Sequence, residues 1–164
     1  DPGTIIRDAQ HQAARQIVYG GIVVTDDLAR PHERNQVHPS NKRPVGRRLA
    51  YLALNRDYGF SSVNCYSPEA QEAWVEGDMV CVKLSYAQNG LDRWEGVKGL
   101  EVCGEDGVFY PVSEALYDWD HVLNIRCEKV KRPVEVRYCY RDFNPGNLHN
   151  TVGLPVAPFR FRFE

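Results

Sequence analysis

Histidine is the side chain best suited to accept and return a proton near neutral pH. One of the five histidines in this chain stands where such chemistry is usually placed. His38 lies in Asn35-Gln36-Val37-His38-Pro39-Ser40-Asn41-Lys42, a polar stretch after the β-branched run Ile22-Val23-Val24 and before an amphipathic segment. Pro39 disfavours helical backbone at the residue before it, so His38 belongs to a loop that leads into a helix. Polar loops at the C-terminal ends of parallel strands are where α/β folds build their sites. His38 is therefore the candidate general base. His11 on the first helix, His32 in the same long loop, and His121 and His149 near later turns read as ordinary surface residues.

A base of this kind needs a nucleophile, and the chain offers no obvious one. Its serines are Ser40, Ser61, Ser62, Ser67, Ser85 and Ser113, and none lies in G-x-S-x-G or follows Gly-Asp or Gly-Gln. Ser40 reads as a helix cap. The five cysteines, Cys65, Cys81, Cys103, Cys127 and Cys139, are odd in number and include no C-x-x-C pair. No two histidines stand at helical metal-binding spacing either, so no metal site is expected. The cysteines read as small buried hydrophobes in strands. Nothing in the sequence calls for a cofactor.

The elements that must position His38 fall in the first part of the chain. Ile5, Ala9, Ala13 and Ile17 recur at helical spacing and predict a helix over about 4–18, ended by Gly20-Gly21. Ile22-Val23-Val24 fits a buried strand of a parallel sheet, and the loop from Asp26 to Ser40 follows it. A second helix is expected over about 42–56, with Pro44 in its first turn and Val45, Leu49, Leu52 and Ala53 as its buried stripe. Helix, strand, loop and helix form the grammar of an open α/β sheet. One strand cannot bury two helices, so their apolar stripes are expected to meet a segment preceding Asp1.

Beyond about residue 60 the period changes to two. Val80, Val82, Leu84 and Tyr86 share one face of a strand; Leu123, Ile125 and Cys127 oppose Asn124, Arg126 and Glu128 in another. In a third, Val134, Val136, Tyr138 and Tyr140 oppose Glu135, Arg137, Cys139 and Arg141. Gly77-Asp78, Asn89-Gly90, Gly104 to Gly107 and Pro145-Gly146 punctuate the strands. The pattern predicts an antiparallel β-sandwich, each strand having one dry and one wet face.

The bulk numbers narrow the partners. With 20 Lys and Arg against 22 Asp and Glu, the net charge of −2 leaves no electrostatic footprint for nucleic acid. The basic run from Asn41 to Arg48 reads as a solvated helix start. No apolar run approaches the roughly 20 residues a membrane span needs, so no membrane partner is expected.

At these residues the chain resembles the sialate O-acetylesterase family of SGNH-type carbohydrate esterases. The likeness rests on Val37-His38-Pro39-Ser40-Asn41-Lys42, Val45-Gly46-Arg47-Arg48-Leu49-Ala50, Ala53-Leu54 and Tyr58-Gly59. It extends upstream to Arg7-Asp8-Ala9-Gln10 and Val24-Thr25-Asp26-Asp27-Leu28. Downstream it includes Gly104-Glu105-Asp106-Gly107, Pro133 to Tyr138, Asn147-Leu148-His149-Asn150, Gly153-Leu154-Pro155 and Pro158-Phe159-Arg160. It implies a fold that is α/β plus all-β: residues 1–60 as the C-terminal segment of an SGNH-like α/β domain, and residues 61–164 as an antiparallel β-sandwich.

The resemblance also implies a secreted or periplasmic hydrolase that removes O-acetyl groups from sialic acid by serine acyl transfer, with His38 as base. The serine is expected on a partner chain, most simply the other half of a cleaved precursor, and the substrate is an O-acetylated sugar. Many members carry Asp two residues before the histidine, where this chain has Gln36. Asp27 is the substitute expected to orient His38, with Asp26 and Glu33 as alternatives. Gln10 and Gln36 are expected to contact substrate. The competing readings are an acetylxylan-type esterase, a structural scaffold, or a carbohydrate-binding module using Trp74, Trp94, Trp119 and Tyr110.

Overall fold

The computed structural model describes residues 2–36, 38–92, 96–112 and 114–164. Two helices precede ten short strands. The helices are α1 (Pro2–Gln16) and α2 (Lys42–Arg56). The strands are β1 (Glu69–Glu76), β2 (Met79–Ser85), β3 (Leu91–Asp92), β4 (Leu100–Cys103), β5 (Phe109–Pro111), β6 (Ala115–Tyr117), β7 (Val122–Arg126), β8 (Glu135–Tyr138), β9 (His149–Asn150) and β10 (Phe159–Arg162).

One sheet runs β1-β2-β7-β6, a second runs β10-β8-β4-β5, and β3 pairs with β9; every pairing is antiparallel. The inward side chains of the two larger sheets make one core. Val80, Val82, Leu84, Leu123 and Ile125 come from the first sheet, and Leu100, Val102, Val136, Tyr138 and Phe159 from the second. Burying each Val, Leu or Ile there is worth about 1.5–3 kcal/mol. The β1–β2 hairpin closes at Gly77, whose φ of +65° suits a residue without a Cβ.

The period-two reading holds for β2 and β7 and fails once in β8 and once just past its end. Glu135 was expected on the wet face but is buried, because Arg160 and Arg162 of β10 bind its carboxylate. Cys139, also placed on the wet face, turns into the core: its φ of +50° ends β8 at Tyr138 and breaks the alternation. Tyr86 leaves its expected face for the same reason, at a φ of +55°. All five cysteines are buried free thiols.

The helical part departs further from expectation. Residues 22–24 form no strand, since no neighbouring strand lies beside them among the described residues and a strand needs a ladder partner. Of the expected apolar stripe, Ile5 on α1 and Ile17 just past its end are exposed. The polar edge of the helix does the docking instead. Arg7 donates to the carbonyls of Cys139 (3.1 Å) and Arg141 (2.6 Å), and Arg15 pairs with Glu69 (2.9 Å). Tyr140 donates to Asp8, and the Gly3 amide to Asp142. On α2, Leu49 is half exposed and the buried residue is Arg48, which the basic run from Asn41 had placed among solvated charges.

Candidate active site

The loop between Val24 and α2 is built from two short 3-10 turns, Asp26–Leu28 and Pro31–Glu33. Buried Val24 and Leu28 pin the first turn from beneath. This presents Asp27 to α2, where Arg48 meets it as a two-pronged fork: Nη1 to Oδ1 at 2.7 Å and Nη2 to Oδ2 at 2.6 Å. Nη1 of Arg48 also donates to the Val24 carbonyl at 2.7 Å. Such bidentate charged pairs are the strong class of hydrogen bond.

The third member of this cluster comes from the sandwich. Nε2 of His149, at the start of β9, lies 3.2 Å from Oδ2 of Asp27, and its Nδ1 lies 3.1 Å from the Asn147 carbonyl. Burial pushes the Asp27 carboxyl up, but the hydrogen bonds from Arg48 and His149 outweigh it and hold it at about 2. The same bond to Asp27 raises His149 above its ordinary value, against the opposing effect of burial. Asp26 next door is raised by burial, although Arg7 lies 3.5 Å away.

The second turn handles the loop that carries His38. The buried Glu33 accepts from the Arg30 amide (2.9 Å) through Oε2 and from the Ser40 amide (2.7 Å) through Oε1. The nearby Ser40 hydroxyl together with these two amides brings its carboxyl down to about 2. Ser40 therefore serves Glu33 and not the helix, whose first residue is preceded by Asn41.

His38 itself is exposed and has no hydrogen-bonding partner among the described residues. Asp27 is engaged by Arg48 and His149, not by His38. Gln10 and Gln36 are both exposed. Among the described residues no serine hydroxyl is bonded to a histidine: the Ser85 hydroxyl is bound to Glu69 and Gln71. No group of three or more His, Cys, Asp or Glu that could hold a metal ion occurs among them. Among the described residues no helix is long and apolar enough to cross a membrane.

His149, Arg48 and Glu33 are what sequence reasoning missed or misplaced. His149 meets Asp27 across 122 positions, which no local pattern reveals. Glu33 did leave a weaker signal, since an acid at the third position of a turn that opens with Pro31 can accept from the amide of the residue before the turn, as it does from Arg30.

No family model matches the chain, and neither does any curated protein. A solved structure does. The chain is similar to a carbohydrate acetylesterase from Xanthomonas citri. The TM-score is 0.84 at 29% sequence identity, and the match covers 98% of this chain and 36% of that one. The chain thus spans little more than a third of that protein's length, and the match takes in the helices, the His38 loop and the sandwich together.

The remaining surface features lie elsewhere. A recess of about 840 Å³ is lined by Met79, Leu116, Asn124, Arg126 and their neighbours, and it shares no residue with the His38 loop. Of the aromatics weighed as sugar platforms, Trp119 is 97% exposed, Trp74 is bonded to Glu76, and Tyr110 to Asp106. Trp94 lies outside the described residues.

Proposed function

We propose that this chain is part of a carbohydrate esterase, in which His38 acts as the general base for a serine supplied by another segment. The observation that carries the reading is the match to a carbohydrate acetylesterase over 98% of the chain at 29% identity. Two features support it. His38 is exposed, with no protein partner among the described residues competing for its ring. The exposed apolar side chains of Ile5, Ile6, Ile17, Val18, Leu49, Tyr58 and Phe60 offer the serine-bearing segment a surface to cover.

The reaction follows from those roles. The serine hydroxyl attacks the acetyl carbonyl while His38 removes its proton. The tetrahedral oxyanion is met by donors on the serine-bearing segment. His38 then gives the proton to the departing sugar oxygen, leaving an acetyl-serine. Water, deprotonated by His38, attacks that ester; acetate leaves and the serine recovers its proton.

With Asp27 held by Arg48 and His149, His38 and the serine work as a pair. Loss of an orienting carboxylate costs a triad about 10⁴ in rate, so this pair is expected to be a slower enzyme than a full triad. O-acetylated sialic acid is the substrate proposed from the resemblance of the His38 segment, and a secreted or periplasmic site of action goes with it.

The test is acetate release by the assembly of this chain with its serine-bearing segment, on 4-nitrophenyl acetate and on O-acetylated sialic acid. His38→Ala is expected to lower kcat by about 10²–10⁴-fold. Full activity after that substitution refutes the role of His38.

A further inference from the structure

We propose that Glu33 is a positioning residue for the esterase reaction, a buried carboxylate that braces the His38 loop from both sides and so fixes where the imidazole stands. The inference rests on the reading of His38 as the base and adds the residue that sets its geometry.

The contacts bracket His38 closely. Oε1 of Glu33 takes the amide of Ser40, two residues after His38. The Glu33 carbonyl takes the amide of Gln36, two residues before His38, at 2.8 Å. Oε2 takes the amide of Arg30, where the loop leaves the first turn. Main chain and side chain of one residue therefore hold the backbone on either side of the imidazole. His38 itself sits at a bend with an exposed ring.

A carboxylate is costly to remove from water unless its oxygens are satisfied. Glu33 is 3% exposed and has no ion-pair partner among the described residues; the donors that hold it are those of its own loop. Such a brace leaves the ring outside free to meet substrate while denying the backbone beneath it other positions. Holding a catalytic group within a fraction of an ångström is what preorganisation requires, and a displacement of about 1 Å can cost about 10²-fold in rate.

The experiment is a double-mutant cycle in the assembled esterase. In Glu33→Gln the side-chain amide keeps one acceptor and turns an NH2 group toward the other backbone N–H, so one of the two anchors breaks. We expect kcat to fall about 10–100-fold with KM within about twofold, and Glu33→Gln to add nothing in a His38→Ala background, where there is no imidazole left to place. An unchanged kcat in the single variant overturns the proposal. So does a full further loss on top of His38→Ala, because Glu33 would then act through something else. Failure of the underlying reading is separately visible as a fully active His38→Ala. Should Glu33→Gln not fold, Glu33→Asp keeps the charge but draws its oxygens back from the Arg30 and Ser40 amides and is expected to lower kcat severalfold with KM within about twofold; an unaltered kcat there also overturns the proposal.

Discussion

Replacing Asp27 by Asn tests the cluster that joins the loop, α2 and the sandwich. The substitution keeps the shape of the side chain and removes its charge. Arg48, whose side chain is 5% exposed, then keeps a buried guanidinium without its counter-ion. Breaking a buried pair from one side costs about 3–5 kcal/mol. The pH dependence gives a separate measure for the native protein. A carboxyl brought from 3.8 to about 2 is displaced by nearly two pH units, which at about 1.36 kcal/mol each is about 2.5 kcal/mol. Because the folded value is the lower one, that stability is present above about pH 4 and drains away as pH falls toward 2.

The substitution should cost more than acidification, since its amide places donors where Arg48 and His149 expect an acceptor. Urea denaturation of the wild-type chain and Asp27→Asn at neutral pH measures the difference, and a Tm lowered by about 6–20 °C is the thermal counterpart. Adding Arg48→Met removes the stranded charge and should recover part of the loss. A loss under about 0.5 kcal/mol, the size of an ordinary surface change, would refute the idea that this buried pair holds the loop against α2.

Two further predictions concern stability. His149 faces the Asp27 carboxylate and the Asn147 carbonyl, with Arg48 beside them, so its folded-state pKa lies above 6.5. Its contribution is then full below the unfolded value of about 6.5 and is lost as pH rises through the folded value, so His149→Gln should flatten the stability curve on the alkaline side of about pH 6.5; identical curves would contradict this. The Tyr138 hydroxyl accepts the Leu148 amide at 2.9 Å inside the core. Tyr138→Phe should cost about 1–3 kcal/mol by stranding that donor, measured by denaturation and by faster exchange of the Leu148 amide.

The parts of this fold that were legible in the sequence are those fixed by neighbours in the chain. The bounds of α2 and the two faces of β2 and β7 follow from periodicity, which local geometry enforces. Residues 22–24 look like a strand by composition, but a strand exists only through a partner, and none lies beside them among the described residues. The stripe of α1 was read correctly as apolar, yet this chain docks the helix through Arg7, Asp8 and Arg15 on its other side. At the candidate site His38 stands in the expected loop, whereas the role given to Asp27 depended on a partner chosen by proximity in sequence. Its contact with His149 is set by how the sandwich packs, and alternation along the strands carries no trace of it.

The polar contacts that fasten α1 and the Asp27 turn to the sandwich carry one more consequence. Gly3, Arg7, Asp8, Arg15 and Asp27 each reach a residue beyond position 68 without using the intervening backbone. A proteolytic nick at the exposed Ser61-Ser62 peptide would sever the polymer while every one of those contacts stayed in place. The stretch between α2 and β1 is thus a tether and not a hinge, and the two fragments of a clipped molecule have good reason to remain together.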